Sequence, residues 1–415
     1  MPRILVVSGL DFYGYQKDVI PLPRLLRAFG ESGWQVDFVT DQKPEWLDKS
    51  SRQYGEPSDE VGAGVVVHRV ALPLPRRLWS VLGKLRVGRS LRQRLKTQIL
   101  FPPVVRQAAD PLARQADLVY GHEIFGVPIA AALAKKYHKP LVTRFQGTFA
   151  WGWLQESRRS PWRAAVSALR YGTHWRALKT PADLIIMTDD GTKGLDVLKI
   201  LGNHSEVRFW RNGIDLQPSG QPIEMVRNDL SLPAGAKISV SVSRLARWKR
   251  VDRIIAALPQ VASEIPDLLH VVVGDGSERR HLEEMASSLG VSEHVLFVGS
   301  QSLAQVASYL ESADVFVSMF EDSNVGSTLL EALRLGKCIV TLNVGDTCEL
   351  IKHGVNGILL DDASPSSVAR AMIDVLTNPA QASNLASGAL QTGRKLWSWQ
   401  ERLDAEIAEL ERLVR

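Results

Sequence analysis

The sequence predicts two consecutive α/β domains, each built around a doubly wound parallel β-sheet. Short runs of apolar, often β-branched residues recur along the 415-residue chain. They are apolar throughout, which is typical of parallel strands covered on both faces. The stretches between them, roughly 15 to 25 residues long, suit helices that cross over the sheet. The length fits two domains, and ligands of such folds bind beyond the carboxyl ends of the strands, so we expect substrates in a cleft between the domains.

Each half of the chain contains several runs that we predict to be strands. In the first half they are ILVVS (4–8), VDFVT (36–40), DLVYG (117–121), PLVTRF (140–145), DLIIMT (183–188) and VRFW (207–210). In the second half they are KISVSV (237–242), LLHVVVG (268–274), VLFVG (295–299), DVFVSM (314–319), CIVTL (338–342) and GILL (357–360). The polar stretch NGIDLQPSGQP separates the two sets, because the rhythm of strands and helices restarts after Pro233. We therefore predict domains of residues 1–215 and 216–395.

The last helical segment, residues 396–415, has two placements that its pattern leaves open. It can cap the second domain, or it can cross back and pack on the first.

The composition excludes several classes of protein. Hydrophobic residues make up 45% of the chain and charged residues 23%, and the mean hydropathy is −0.06. These values exclude a disordered chain, a fibrous protein and a polytopic membrane protein. Cys338 and Cys348 form neither a CxxC pair nor a His-rich pattern, so we expect neither a disulfide scaffold nor a zinc site. Because the N-terminus lacks the pattern of a secretory signal, we expect a cytoplasmic protein.

Charge is distributed unevenly between the two halves. Residues 1–200 contain 30 Lys and Arg against 18 Asp and Glu (+12), and residues 201–415 contain 20 against 27 (−7), which together give +5. Much of the excess lies between Glu60 and Asp110, where the sequence has no carboxylate. We therefore expect an anionic partner on the N-terminal half. Nucleic acid is not expected, because no nucleic-acid-binding motif accompanies the charge.

The basic segment PRRLWSVLGKLRVGRSLRQRLK (75–96) has Leu and Val at spacings compatible with an amphipathic helix. Such a helix can lie on anionic lipid with Trp79 at the interface. This interpretation predicts an anionic membrane surface as a partner and a peripheral position on the inner face of the membrane. The alternative is a solvated basic face.

Two turns that follow strands in the second half suit a diphosphate group. Arg244 and Lys249 lie in SRLARWKRVD, after the strand KISVSV. Two cations beside the free N–H groups of a helix start make a good phosphate site. The next strand ends in VVVGDGS, where Gly274, Asp275 and Gly276 allow the backbone to approach a ligand closely. The alternatives are a solvated basic turn and a tight turn without a ligand.

The stretch FEDSNVGSTLLEALRLGK combines a polar loop with a helix that we expect to begin near Ser327 and to end near Gly336. Glu331 lies about one turn into this helix, where its carboxylate can accept hydrogen bonds from vicinal hydroxyls. The backbone amides at the helix N-terminus can meet a phosphate, namely those of Asn324, Val325 and Gly326. The alternative role for Glu331 is a surface residue that complements the helix dipole.

Taken in order, these motifs resemble a known family. The series RLARWK, VVGDG, FVG, SNVGSTLLEALRLGK and VGDTCELIKHGVNGILL resembles the nucleotide-sugar domain of the retaining GT-B glycosyltransferases of family 4. FWRNGID (209–215) resembles the turn between the two domains of that family. The resemblance implies a GT-B fold, in which two Rossmann-like domains face each other across a cleft. The first domain would bind the acceptor and the second the nucleotide sugar.

The resemblance also implies roles for individual residues. Arg244 and Lys249 would neutralise the diphosphate of a nucleoside diphosphate sugar, and Glu331, as the second glutamate of an E-x7-E motif, would hold the ribose. Fixed cations stabilise the charge that develops on a leaving diphosphate, so neither a metal nor another cofactor is expected. The other donor-binding residues would be Gly274, Asp275, Gly276, Asp322, Ser323, Asn324, Val325 and Gly326.

The chain departs from the family at the first glutamate of E-x7-E. That position is Ser323, and the nearest acids, Glu321 and Asp322, are displaced by two positions and one. The donor sugar would then be contacted by Asp322, or by Asn324 together with Ser323.

On the acceptor side, Gln146 stands where the family often has a histidine, and Gln can position or polarise a group but cannot transfer protons as His does. His122 and Glu123 follow the strand DLVYG and are candidates to face the acceptor. The alternative for His122 is an ordinary packing or loop residue. Gly14, in the loop DFYGY, matches the family's glycine-rich turn weakly, and a plain connecting loop is its alternative.

We therefore expect a glycosyltransferase of the hexosyltransferase type in polysaccharide or glycolipid biosynthesis. It would move a sugar from a nucleoside diphosphate sugar to a hydroxyl of a glycan or lipid-linked acceptor, with retention of anomeric configuration. Ser323 and Gln146 leave one alternative open, a catalytically silent GT-B protein that binds a nucleotide or a partner subunit. The order of the motifs disfavours a sugar-nucleotide epimerase.

Overall fold

A computed structural model of the chain describes residues 1–9, 21–41, 62–70, 101–148, 150–158, 160–220 and 222–415. The chain divides into two compact units. The first consists of Met1–Thr188, Gly194–Trp210 and Leu403–Arg415, and the second of Asp189–Lys193 and Arg211–Arg402. Five residues from the N-terminal half of the sequence therefore belong to the second unit.

The first unit contains a parallel sheet with the strand order β3-β2-β1-β4-β5-β6-β7. Its strands are β1 (Arg3–Ser8), β2 (Gln35–Asp41), β3 (Val65–Val70), β4 (Leu118–His122), β5 (Leu141–Phe145), β6 (Leu184–Thr188) and β7 (Val207–Trp210). Its described helices are α1 (Pro21–Glu31), α2 (Phe101–Gln115), α3 (Glu123–Tyr137), α4 (Ala150–Arg158), α5 (Pro161–Lys179) and α6 (Gly194–Ile200).

The second unit contains a parallel sheet with the order β10-β9-β8-β11-β12-β13. Its strands are β8 (Lys237–Val242), β9 (Leu268–Val273), β10 (Val295–Gly299), β11 (Val315–Ser318), β12 (Cys338–Leu342) and β13 (Ile358–Leu360). The helices are α7 (Ile223–Asp229), α8 (Val251–Glu264), α9 (Arg279–Ser288), α10 (Leu303–Ser312), α11 (Ser327–Arg334), α12 (Thr347–Leu350), α13 (Pro365–Thr377) and α14 (Pro379–Gly393), followed by α15 (Trp399–Val414).

The predicted fold class, two doubly wound α/β sheets, is confirmed, and the packing shows why the strands are apolar throughout. Along β11, Val315 and Val317 belong to one hydrophobic cluster with the buried face of helix α8. Phe316, between them, belongs to a second cluster that includes residues of helix α11. Both faces of the strand are therefore buried, as expected for a parallel sheet with helices on both sides.

One described strand was not predicted from the sequence. β3, with the sequence VVVHRV, pairs with β2 at the edge of the first sheet. Its residues are mostly half-buried, and Val66 is 55% exposed. Because an edge strand is less covered than a central one, its sequence includes polar residues and does not show a fully apolar run.

Helix α15 begins in the second unit, and its residues from Leu403 onward belong to the first. There the Glu406 side chain, which is fully buried, lies 3.3 Å from Nε of the buried Arg144. It also accepts a hydrogen bond of 2.5 Å from the Tyr120 hydroxyl. A buried ion pair with a hydrogen-bonded third partner thus joins the last helix to strands β4 and β5.

Two expectations fall outside the described residues, namely those for Gly14 and for the basic segment 75–96. Among the helices that the structure describes, none is both long enough and apolar enough to span a bilayer.

Candidate functional site

The turn after strand β8 holds the two predicted diphosphate-binding cations. Arg244 is exposed, and Lys249 ends a single 3-10 turn, Arg247–Lys249, that precedes helix α8. The Nζ atom of Lys249 lies 4.0 Å from the ring centroid of Trp248 and 3.7 Å from that of Phe320. Aromatic faces attract a cation at such distances, so the two rings hold the ammonium group in place.

The charge of Lys249 depends on its neighbours. Burial, the largest influence, lowers the pKa of Lys249 to about 7, and the Arg244 guanidinium acts in the same direction. The Asp190 carboxylate acts in the opposite direction. The structure therefore brings Arg244 and Asp190 within range of the charge of Lys249. An anion bound beside two such cations would restore the full charge of Lys249.

The loop after β9 touches this turn backbone to backbone. Gly274 has φ +133°, and a Cβ atom there would lie 1.9 Å from the carbonyl oxygen of Ser243. A Cβ atom on Gly276 would lie 2.3 Å from the carbonyl oxygen of Leu245, whose N–H donates to the Asp275 carbonyl at 2.9 Å. Glycine is required at both positions for this approach. The predicted Gly274–Gly276 motif thus lies directly beside the Arg244 turn.

The loop between β11 and α11 differs from the prediction in two details. The Asn324 side chain is fully buried and donates to Thr341 Oγ1 and to the Leu342 carbonyl, both at 2.8 Å. It therefore faces the sheet. The Val325 N–H donates to the Asp190 carbonyl at 3.1 Å, so this amide already has a hydrogen-bond partner and is not available to a phosphate. Gly326 precedes helix α11, which begins at Ser327 as predicted.

Asp190, which was not among the predicted site residues, accounts for the engaged Val325 amide. Its carboxylate accepts hydrogen bonds from Ser323 Oγ at 2.9 Å and from Thr192 Oγ1 at 2.5 Å. Burial raises the pKa of Asp190 to about 6, while the bonds from Thr192 and Ser323 act to lower it. One signal was available, because Asp189 and Asp190 follow the predicted strand DLIIMT directly, and a strand end is where functional residues were expected.

Glu331 lies in the second turn of helix α11 and is half-buried. Burial, and then the charge of Asp215, raise the pKa of Glu331 to about 7. Asp215 belongs to the NGID turn, so this turn and helix α11 place two carboxyl groups near each other. Carboxylate oxygens can accept two hydrogen bonds from a vicinal diol, as the prediction for Glu331 requires.

The acids nearest to Ser323 in sequence have different surroundings. Glu321 accepts hydrogen bonds from Arg250 at 2.7 Å and from Arg253 at 3.3 Å, so its charge is already paired. Asp322 is exposed as a residue but its carboxyl group is partly buried, and this partial burial, followed by the charge of Glu321, raises its pKa.

The predicted acceptor-side residues of the first unit lie together at the carboxyl ends of β4 and β5. His122 is 1% exposed, with Nδ1 3.3 Å from Ser8 Oγ. Burial, and then Arg144, lower the pKa of His122 to about 3, so its ring is neutral. The Glu123 carboxylate accepts a hydrogen bond of 2.7 Å from the Gln146 N–H. His122 is therefore buried, and the Glu123 carboxylate is bonded to the Gln146 backbone, so neither is a free side chain in a loop.

No group of three or more His, Cys, Asp or Glu side chains in the described part of the chain has a geometry that would hold a metal ion.

Comparison with known families assigns both halves of the chain. Residues 22–192 match the family described as glycosyl transferase 4-like domain, and residues 223–392 match glycosyl transferases group 1. The two matches leave out only the two ends of the chain and the stretch between them. The chain belongs to the GT-B glycosyltransferases of the group 1 type.

The curated relatives of this GT-B family member include the GDP-mannose-dependent alpha-(1-6)-phosphatidylinositol monomannoside mannosyltransferase of Mycolicibacterium smegmatis. It is 29% identical over 180 residues, which cover 42% of this chain and 47% of the relative. The chain therefore spans about half the length of this relative.

Solved structures confirm the GT-B fold. The sucrose-phosphate synthase of Thermosynechococcus elongatus is 20% identical and has a TM-score of 0.72, with 99% of this chain and 98% of that one covered. Anabaena HepE in complex with UDP and glucose is 18% identical and has a TM-score of 0.68, with 99% and 100% covered.

Proposed function

We propose that this GT-B protein transfers a sugar from a nucleoside diphosphate sugar to a hydroxyl group. The observation that carries the proposal is the convergence of Arg244 and Lys249 after β8, with glycines of the β9 loop packed against the same turn. Two cations beside closely packed backbone suit the diphosphate of such a donor. The mannosyltransferase relative, described as GDP-mannose-dependent, supports a sugar nucleotide as the donor class.

Sugar transfer from such a donor requires stabilisation of the leaving diphosphate. Breaking the bond between the sugar and the diphosphate adds negative charge to the departing phosphate oxygens. Two aromatic rings hold Lys249 in advance of the reaction, so it stabilises this charge without reorganisation, and Arg244 adds a second cation from the same turn. In this proposal they take the role of a metal ion, and activity is expected to persist in EDTA.

At the nucleoside end of the donor, Glu331 accepts hydrogen bonds from the ribose hydroxyls. The Asp215 carboxylate is near enough to raise the pKa of Glu331, so both carboxyl groups lie at this end of the proposed site. Gly274, Asp275 and Gly276 line the nucleotide pocket, because their backbone approaches the cationic turn without side chains between them.

For the acceptor, we propose a hydroxyl of a glycan or lipid-linked molecule, a hexosyl group as the transferred sugar, and retention of anomeric configuration. A ring as acidic as that of His122, with a pKa of about 3, is a weak base, and Gln146 cannot take a proton. The departing phosphate then accepts the proton from the acceptor hydroxyl. The hydroxyl attacks the sugar on the same face from which this phosphate leaves. Proton NMR of the product distinguishes retention from inversion.

The proposal is tested by measuring nucleotide release from UDP-glucose, GDP-mannose and ADP-glucose, with and without glycan and lipid-linked acceptors. We expect acceptor-dependent release from one donor, and at least a hundredfold loss of kcat in Arg244→Ala and Lys249→Ala. Arg247→Ala is the matched control, because Arg247 is an exposed cation of the same turn. Equal activity of all three variants and the parent would contradict the assignment of the cationic pair.

A second candidate, a GT-B protein that binds a nucleotide without turnover, is favoured by Ser323 at the first E-x7-E position. Binding of UDP, GDP or ADP without release from any donor, with any acceptor, would support it over the enzyme.

A further inference from the structure

Asp190 belongs to a five-residue segment, Asp189–Lys193, that packs in the second unit. The segment contacts two loops. The Val325 N–H donates to the Asp190 carbonyl at 3.1 Å, and the Lys193 N–H donates to the Asp346 carboxylate at 2.9 Å. A Cβ atom on Gly345 would lie 1.7 Å from the carbonyl oxygen of Gly191, so the backbones are in close contact. The Asp190 carboxylate is therefore held at a defined point beside Ser323.

We infer that Asp190 makes Ser323 a hydrogen-bond acceptor for a hydroxyl of the donor sugar, an inference that rests on the proposed function. The Ser323 hydroxyl has a single proton, and it donates this proton to Asp190 Oδ2 at 2.9 Å. Its oxygen can then only accept a further hydrogen bond. The carboxylate behind it strengthens that bond, because a donor bonded to an anion becomes more negative at its oxygen.

The position of the pair along the proposed donor supports this role. The Glu321 N–H donates to the Trp248 carbonyl at 3.1 Å, which joins the loop of Ser323 to the cationic turn, and the Asp190 carboxylate acts on the charge of Lys249. The pair therefore lies beside the diphosphate end of the site. Ser323 precedes helix α11, whereas Glu331 lies four residues beyond its first residue, about 6 Å along the helix axis. With the ribose at Glu331 and the diphosphate at the cationic turn, the sugar extends toward Ser323.

The conformation of Ser323 is also unusual for a residue that only connects two elements. Its φ is +53°, in the left-handed region that residues other than glycine adopt at a cost of about 1 kcal/mol or more. Such conformations concentrate at functional sites. Two neighbouring side chains are less suitable, because Glu321 is paired with Arg250 and Arg253, and the Asn324 amide donates into the sheet.

The test compares an intact sugar nucleotide with its free nucleoside diphosphate, by calorimetric titration of UDP-glucose and UDP, and of GDP-mannose and GDP. At pH 7.5 the Asp190 carboxylate is ionised, because its pKa is about 6. In Asp190→Asn the new amide donates to the Ser323 oxygen and occupies it. We expect Asp190→Asn and Ser323→Ala each to lower the affinity for the sugar nucleotide, relative to that for the free diphosphate, about tenfold or more. The ratio removes any effect of Asp190→Asn on the diphosphate through Lys249. In Ser323→Ala the affinity for the free diphosphate itself should stay within about twofold of the parent.

Two further variants separate this role from a structural one. Asp346→Asn is the matched control: Asn can still accept the bond from the Lys193 N–H, so the segment stays in place and both affinities should be unchanged. Ser323→Glu in the Asp190→Asn background supplies a carboxylate at position 323 itself. It should recover most of the lost sugar-nucleotide affinity.

Failure of this inference looks different from failure of the proposed function. If the parent binds sugar nucleotide and diphosphate but Asp190→Asn weakens both equally, or neither, Asp190 does not act through the sugar. If the two single losses add in the Asp190→Asn/Ser323→Ala double variant, the residues do not act as a pair and the inference is wrong. If the parent binds no sugar nucleotide and no diphosphate, the proposed function fails and this inference falls with it.

Discussion

At the scale of single residues, Lys249 shows how burial sets the chemistry of a binding cation. Its ammonium group lies between two aromatic rings, and burial lowers its pKa to about 7, with Arg244 acting in the same direction and Asp190 in the other. Diphosphate binding favours the charged form. As pH rises through 7, Lys249 loses its proton in the free protein, so binding must take up a proton and becomes weaker.

We predict that, in the Glu331→Gln background, the affinity for UDP, GDP or ADP falls about tenfold between pH 6.5 and pH 8.5. Lys249→Arg should remove this fall, because a guanidinium stays charged over the whole range. Calorimetric titration at several pH values measures both. Glu331, with a pKa of about 7, titrates in the same range with the opposite sign, because its ionised form is the better acceptor for the ribose. Glu331→Gln serves as the control that removes this second contribution. An unchanged pH profile in Lys249→Arg would show that another group causes the fall.

At the scale of elements, helix α15 is joined to the first sheet by a buried charge. Arg144 is 1% exposed and Glu406 is fully buried, and the Tyr120 hydroxyl is bonded to the same carboxylate. Removing one partner of a buried pair leaves the other charge without compensation, whereas replacing both by apolar groups of similar size is often neutral. The pair therefore fixes how the helix lies in the first unit more than it adds stability.

We predict that Glu406→Gln lowers the free energy of unfolding by about 3 kcal/mol, and that the Arg144→Met/Glu406→Leu double variant recovers most of this loss. Glu411→Gln is the control, since Glu411 forms an exposed pair with Arg415 on the same helix and should cost less than about 0.5 kcal/mol. Urea denaturation, with hydrogen exchange of strand β5, measures the effect. A loss in the double variant as large as in the single one would mean that packing, and not charge, joins the helix to the sheet.

At the scale of the whole molecule, the uneven charge of the chain bears on its partners. The first 200 residues have a net charge of +12 and the remainder −7. Long-range attraction to an anionic surface depends on such a local excess and is screened by salt, with a Debye length of about 10 Å at 0.1 M. We propose on this basis that the N-terminal half binds an anionic membrane that also holds the acceptor.

We predict that the protein sediments with phosphatidylglycerol vesicles at 0.1 M NaCl and that the sedimented fraction is several-fold smaller at 0.5 M NaCl. It should not sediment with phosphatidylcholine vesicles. Reversing the charges of Arg86, Arg89 and Arg92 should abolish the binding. The same change at three exposed cations of the second unit, Arg370, Arg394 and Lys395, should leave it intact. Equal loss in both triple variants would show that total charge, and not the basic segment, governs the interaction.

The sequence by itself determined the fold class and the family. Apolar runs such as that of β11 must be buried on both faces, and this local requirement predicts parallel sheets before any contact is known. The same holds for the turn with Arg244 and Lys249, for the glycines beside it and for the start of helix α11. Each depends on residues within one short stretch. Strand β3, where Val66 is 55% exposed, was not predicted, because an edge strand need not be buried on both faces.

Only the tertiary structure decided which distant residues meet. Asp190 and Ser323 are 133 positions apart, and Arg144 and Glu406 are 262 apart. Hydrophobic periodicity says which face of an element is buried, but it does not say which other element covers it. A polar residue placed against a distant partner therefore has no signature in its own neighbourhood. For this reason the sequence shows only that a serine, Ser323, stands at the position of the family's first glutamate, and the folded chain alone shows that this serine is bonded to the Asp190 carboxylate.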